Sequence, residues 1–323
     1  MEQTPLSDKK IVVIGGGTGI FPVLTGLKNY FKNLTVVTSA ADNGGSAGLL
    51  REEFGILPPG DTRRALIALS QSDNKLLSEL FNYRFTEGKG LAGHAFGNLM
   101  ITALERITGS FEKAIAEAGK ILGVQGEVLP VTTVPATLVA QFENGEIIRG
   151  ETNIDIPSQR DGQMKIVSVH LEPKVKLNPR AGAAIKQADL VVIGPGDLFT
   201  SLLPNLIVEG MREALKATRA KVAYFVNCMT KYGETAGFAA SDFVKAMVAY
   251  VGPDVLDYVI LNKTKPSVNR VKEYVMERSA FVEPDLENLP QKPTPIVTDL
   301  IRSRGLVRHD SEKIRAVIQL LLP

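Results

Sequence analysis

Four consecutive β-branched residues that run straight into a glycine cluster constrain this chain more than any other stretch. Ile11-Val12-Val13-Ile14 is followed at once by Gly15-Gly16-Gly17-Thr18-Gly19. The run is too short for a helix and shows no polar alternation, so it reads as a strand buried on both faces. An apolar-periodic segment from Ile20 to Tyr30 follows and predicts a helix. Strand, glycine turn and helix open a parallel α/β unit. They bring bare backbone N–H groups to a helix N-terminus, where unpaired donors and the helix dipole stabilise an anion. A second strand, residues 34–38, ends in a second glycine-rich turn, Ala41-Asp42-Asn43-Gly44-Gly45-Ser46. Two such turns at the carboxyl ends of adjacent parallel strands face one crevice.

The dinucleotide fingerprint is incomplete. GxGxxG fits Gly15 and Gly17, but its third glycine falls on Ile20. The acidic residue that would hold a ribose could be Asp42, yet the Asn-Gly-Gly-Ser after it suits a ligand-binding turn better. A nucleotide-type ligand is expected ahead of a redox dinucleotide. The alternative is a glycine turn that serves only tight strand–helix packing.

The alternation continues along the chain. A short helix is expected through Leu49, Leu50 and Phe54, broken by Pro58-Pro59-Gly60. Asp61 or Thr62 is expected to cap the next helix. Arg63 and Arg64 on that helix either reach a phosphate or lie on a solvated face. A further helix is expected from Asn74 to Tyr83. Residues 88–99, GKGLAGHAFGNL, lead into an amphipathic helix that runs to Ile107. His94 and Asn98 share one face there, where they hydrogen-bond a ligand or pin two loops together.

From Glu127 to Pro173 the texture changes. Strands are expected at 127–133, 136–142, 146–150 and 164–171, with Asn144-Gly145 as a two-residue hairpin turn. This predicts an antiparallel excursion over 127–173, inside a single domain spanning 1–323, that shapes one wall of the crevice. Alternation resumes with a helix from Pro179 to Gln187 and a buried strand at 189–193, which ends in a third glycine turn, Gly194-Pro195-Gly196-Asp197. Then come a helix around 207–217 and strands at 221–226, 257–261 and 295–297. A helix carries Val268, Val271, Tyr274 and Val275, and an amphipathic helix closes the chain at 311–322. Asn227 lies at a strand end toward the same crevice, Cys228 reads as packing, and Arg308 points either into the crevice or to water.

Composition narrows the class. At 44% hydrophobic and 22% charged residues, the chain resembles an ordinary soluble globular protein. A formal charge of +2 gives no argument for nucleic-acid binding. The single cysteine excludes an internal disulfide framework and fits a reducing cytoplasm. MEQTPLSDKK lacks the apolar core of a signal peptide, and no window reaches the length of a membrane span. The three histidines, His94, His170 and His309, are too dispersed for a zinc signature, and no metal ligand set is expected.

Read together, the motifs IVVIGGGTG, AADNGGSAGLLREEF, LPPGDTRRALIALS, GLAGHAFGNL, VIGPGDLFTSLLPNL, NCMTKYGETAGF and LVRHD strongly resemble the gluconeogenesis-factor (YvcK) family. That family belongs to the CofD-like superfamily of 2-phospho-L-lactate transferase. The resemblance implies an α/β fold with a Rossmann-like doubly wound, mostly parallel sheet and an inserted antiparallel β segment. It implies a UDP-sugar ligand such as UDP-N-acetylglucosamine, no required cofactor, and a link to cell shape and peptidoglycan synthesis during growth on gluconeogenic carbon sources. Cell-wall synthesis proteins are the implied partners, and apolar positions on the last helix suggest a homodimer. In the transferase branch a divalent metal, Mg2+, helps move a phospholactyl group from a guanosine diphosphate donor to a deazaflavin. The family's ligand contacts would fall on Gly16, Gly17, Thr18, Asp42, Asn43, Asn98, Gly194, Gly196, Asn227, Tyr274 and Arg308. The family usually has two consecutive acids in the second turn, whereas this chain has Asp42-Asn43. Asparagine brings no charge to a metal, so a hydrogen-bonding ligand site is expected over a metal-assisted transferase.

Overall fold

The Ile11–Ile14 run lies at the middle of a seven-stranded sheet in the structure, a computed structural model that describes residues 5–71, 75–157 and 160–323. In chain order the strands are β1 (Lys10–Ile14), β2 (Asn33–Thr38), β3 (Glu127–Pro130), β4 (Thr137–Phe142) and β5 (Ile147–Arg149). The remainder are β6 (Ile166–Glu172), β7 (Leu190–Ile193), β8 (Lys221–Phe225), β9 (Tyr258–Asn262) and β10 (Thr294–Thr298). The large sheet has the order β10-β9-β8-β7-β1-β2-β3, and each neighbouring pair is parallel. The chain steps from β1 out to β3, returns to the other side of β1 as β7, and continues to β10. That reversal opens a crevice beyond the carboxyl ends of β1 and β7, the usual ligand position in a doubly wound sheet.

Burial follows from this arrangement. Ile11, Val13, Ile14 and all four residues of β7 are fully buried, because helices cover both faces of the sheet. The Phe21–Leu27 helix stops short of Tyr30, and its neighbour is the final helix, Ser311–Leu321. Asp310 caps that final helix by accepting from the backbone N–H groups of Glu312 and Lys313. Its apolar stripe, Ile314, Val317, Ile318 and Leu321, is buried inside the chain while Leu320 stays 84% exposed. The buried stripe is used internally, and Leu320 is the large apolar residue of this helix that stays exposed.

Several expectations need correction. β3 is the edge strand of the parallel sheet and pairs with β2, so the antiparallel sheet, β5-β4-β6, begins only at Thr137. An apolar strand looks the same to its sequence whether its neighbour runs parallel or antiparallel. The helix at 60–69 starts at Gly60 after Pro59, so neither Asp61 nor Thr62 is its cap. The helix expected around 207–217 begins only at Met211 and runs to Ala217, because Gly210 takes a φ of 95° that no helix interior holds, and a separate short helix, Leu203–Leu206, precedes it. The helix Ala240–Val251, which buries Phe243, Val244 and Met247, has no counterpart in the sequence expectations. The helix expected from Asn74 is found as Lys75–Asn82, and Asn74 lies outside the described residues. Among the described residues, no helix is long and apolar enough to cross a membrane.

Candidate functional site

Parallel pairing of β1, β2, β7 and β8 carries the segments that follow them to one edge of the sheet. The first and third glycine turns touch backbone to backbone. A Cβ at Gly19 would lie 2.3 Å from the Pro195 carbonyl oxygen, and one at Gly16 would lie 2.2 Å from Asp61 Oδ2. At Gly19 the obstacle is backbone, so glycine is required; at Gly16 it is the Asp61 side chain, which a Cβ would displace.

Two adjoining cavities of about 300 and 380 Å³ occupy this edge, and both are lined by Gly17, Thr18, Asp197 and Ser201. The first adds Asn227, Lys231, Tyr274 and Arg308. The second adds Asp42, Asp61, Arg64 and Glu151, the last from a short helix, Glu151–Asp155, that follows β5. The antiparallel insertion thus supplies a wall of the crevice. The shared lining makes the two cavities one elongated groove.

Several of the turn amides are already engaged. Gly17 N donates to Asp61 Oδ1 at 2.7 Å, Gly44 N to Asp42 Oδ1 at 2.8 Å, and Gly196 N to Asn227 Oδ1 at 3.0 Å. In the helical turn after Asp197, Phe199 N and Thr200 N both donate to Glu234 Oε2, at 3.0 and 3.2 Å. These five amides are therefore not open donors for an anion. Buried backbone donors need acceptors, and here internal side chains provide them. Asp61, expected as a helix cap, instead braces the first glycine turn.

The site residues expected from sequence separate into two groups. Gly17, Thr18, Gly196, Asn227, Tyr274 and Arg308 line the first cavity, and Asp42 and Asn98 line the second. Gly16 packs beneath Asp61, and Gly194 takes a φ of 72° inside the third turn. Asn43 is turned away: its Oδ1 accepts from Thr152 N at 2.9 Å and ties the second turn to the insertion. Asn98 is 3% exposed and is doubly engaged, donating to Ser46 Oγ at 3.1 Å and accepting from Arg63 Nε at 2.9 Å. His94 Nδ1 also lies 3.3 Å from Ser46 Oγ. His94 and Asn98 therefore pin the second turn to the Phe96–Thr108 helix. Arg63 is buried and donates to Asn82 Oδ1, so it lies on no solvated face, whereas half-buried Arg64 pairs with Asp61 at 3.3 Å.

Charge is crowded in the second cavity. Burial, and then Asp42, raise Asp61 to about 6, against which Arg64 pulls. Burial followed by Asp42, Asp155 and Asp61 raises Glu151 to about 8. Asp42 is also pushed up by burial, opposed by the Gly44 N–H and three arginines. The wall was expected, but Glu151 and Asp155 were absent from the sequence expectations, because a Gly-Glu-Thr after a short strand does not say which of its residues faces the crevice.

The first cavity is closed by the Val268–Met276 helix and the loop before the last helix. Arg270 donates to the carbonyls of Gly305 and Leu306 at 2.8 and 3.0 Å, and Tyr274 Oη to that of Val307 at 3.3 Å. These bonds hold the segment that carries exposed Arg308. Cys228 Sγ lies 3.4 Å from His309 Nε2. Burial pushes the thiol up to about 12 and the imidazole down to about 4, so the pair is neutral and packs rather than reacts. One oxygen each from Asp155, Asp197 and Glu234 lies within 4.8 Å of the others, and Lys231 Nζ pairs with all three.

Residues 11–301 match the sequence model of the CofD family, described as 2-phospho-L-lactate transferase CofD. The chain is similar to the gluconeogenesis factor of Bacillus subtilis, with 37% identity over 315 residues that cover 97% of this chain and 98% of that one. It is similar to the gluconeogenesis factor of Listeria monocytogenes at 38% identity over 318 residues, covering 97% and 96%. A crystal structure of a UPF0052-family protein from Bacillus halodurans matches this fold with a TM-score of 0.91 at 38% identity, covering 96% of this chain and 99% of that one.

Proposed function

This chain belongs to the gluconeogenesis-factor branch of the CofD family, and from that premise we propose that it is a cytoplasmic regulatory protein that binds a UDP-sugar. The observation that carries the reading is the elongated groove, with Tyr274 and Arg308 at one end and carboxylates at the other. An aromatic ring beside a guanidinium suits a uridine base and a phosphate. Asp42, Asp61 and Glu151 suit the hydroxyl donors of a sugar. A diphosphate would lie between them, over Thr18, Ser201 and Lys231. UDP-N-acetylglucosamine is the proposed ligand, and coupling of its supply to cell shape and cell-wall synthesis during growth on gluconeogenic carbon is the proposed role.

Isothermal titration tests this. Saturable binding of UDP-N-acetylglucosamine is expected, weakened in Arg308→Ala and Tyr274→Ala by about 2 kcal/mol each, the scale of a lost charge-assisted hydrogen bond or stacked ring. Unchanged affinity in both variants would remove those residues from the site.

The crowding of Asp42, Asp61 and Glu151 favours a second reading, metal-dependent transfer of a phosphorus-containing group from a nucleoside diphosphate donor. A magnesium ion held by these carboxylates would relieve their repulsion and polarise a bound phosphate. Mass spectrometry of the ligand recovered from the titration separates the two readings. Intact UDP-sugar after long incubation with Mg2+ supports the binding protein, and a cleaved donor supports the transferase.

A further inference from the structure

We propose that Lys231 is the resident cation of the groove: its ammonium fills a three-carboxylate site that would otherwise suit a divalent ion, and from there it faces the ligand's phosphates. The inference rests on the nucleotide-conjugate reading for its ligand but on the triad's own geometry for its site. Asp155 comes from the insertion, Asp197 from the third glycine turn, and Glu234 from the segment after β8. Their oxygens converge within 4.8 Å, a spacing that hard divalent cations accept. Lys231 Nζ already stands among them, paired with Asp155, with Asp197 at 2.7 Å and with Glu234 at 3.7 Å. Its side chain keeps 32% of its surface exposed, toward the first cavity.

Two further facts give this ammonium its task. The amides of Gly17, Gly196, Phe199 and Thr200 donate internally and not to a ligand, and formal positive charge for a diphosphate is carried by side chains. Lys231 and Arg308 are the two that line the first cavity, and Lys231 sits beside Asp197, which lines both cavities. Glu234 is fully buried, and its Oε1 accepts from Thr200 Oγ1 at 2.6 Å. The three acids in turn hold Lys231 protonated, despite its burial. A monovalent side chain therefore does at this triad what a bound metal would do.

The test compares the full chain with Lys231→Met, Lys231→Arg, Asp197→Asn and Lys231→Met/Asp197→Asn, in EDTA and in MnCl2. The wild type is expected to show no Mn2+-induced rise in melting temperature through this triad. Lys231→Met should gain one, and the added Asp197→Asn change should remove it. In EDTA, Lys231→Met should bind UDP-N-acetylglucosamine at least tenfold more weakly, Mn2+ should restore it, and Lys231→Arg should retain binding. If Lys231→Met is soluble only when purified with Mn2+, that supports the inference as well. A Lys231→Met protein with full affinity in EDTA, one that is insoluble in both buffers, or a wild type with a Mn2+ response that Asp197→Asn abolishes, would overturn it. A wild type that binds no UDP-N-acetylglucosamine in either buffer removes the ligand reading alone, because the melting response to Mn2+ still judges the triad.

Discussion

Glu151 carries an electrostatic strain that can be read as stability. It lies within reach of Asp42, Asp155 and Asp61, and burial with those neighbours raises it from 4.5 to about 8. An acid raised in this way holds its proton more tightly in the native state than in the unfolded chain. The native state therefore loses stability as pH rises from the unfolded value toward the folded one. Asp61, at about 6, acts in the same sense lower down. His309, held at about 4 by burial, acts oppositely: its contribution is lost as pH falls below its unfolded value of 6.5. From about pH 6.5 to 8 Glu151 contributes in this sense alongside Asp42 and Glu234, which burial also pushes upward. Urea midpoints are expected to fall across this window in the wild type and to fall less steeply in Glu151→Gln. A variant with the wild-type slope would mean that Glu151 is already ionised at pH 6.5. None of this is visible in the sequence, because Asp42 and Glu151 meet only when the insertion folds against the second turn.

The glycine turns are where local sequence and long-range contact coincide. A β-branched run followed by glycines announces a strand and a turn from either side. It does not say that Gly19 must let the third turn approach. Gly19→Ala would drive a Cβ to 2.3 Å from the Pro195 carbonyl and force the two turns apart. A loss of about 1–3 kcal/mol is expected on denaturant unfolding, as for overpacking elsewhere, together with weaker ligand binding. Unchanged stability would mean that the turns yield freely. The second turn shows the reverse case. Asp42-Asn43 reads from sequence as a pair of ligand contacts, but Asn43 binds Thr152 N and only Asp42 faces the cavity. In an Asx turn, neighbouring polar residues point in different directions, and composition does not decide which one faces in.

At the scale of the whole molecule, the described residues form two hydrophobic clusters of unequal size, the smaller of which lines the first cavity. The large one spans the sheet and its helices. The small one is Cys228, Met229, Ile301 and Val307, with Val271, Tyr274 and Phe281 packed on it. The Val268–Met276 helix that covers the small cluster has no fully buried residue. Segments with few buried contacts open at lower free energy than a sheet core. Hydrogen exchange is expected to be faster in 268–276 and 302–308 than in β1 and β7, and to slow there when UDP-N-acetylglucosamine binds. Ligand-independent exchange in both segments would place the ligand elsewhere in the groove. By itself the sequence determined the parallel α/β architecture, the three glycine turns and their shared edge, since β-branched runs, helical periodicity and glycine are local physical signals. Only the tertiary structure decided that β3 joins the parallel sheet, that Asp61, Asn227 and Glu234 accept from the amides of Gly17, Gly196, Phe199 and Thr200, and that Lys231 meets three carboxylates. Partners separated by tens of residues are chosen by packing, and no local pattern encodes which of them will meet.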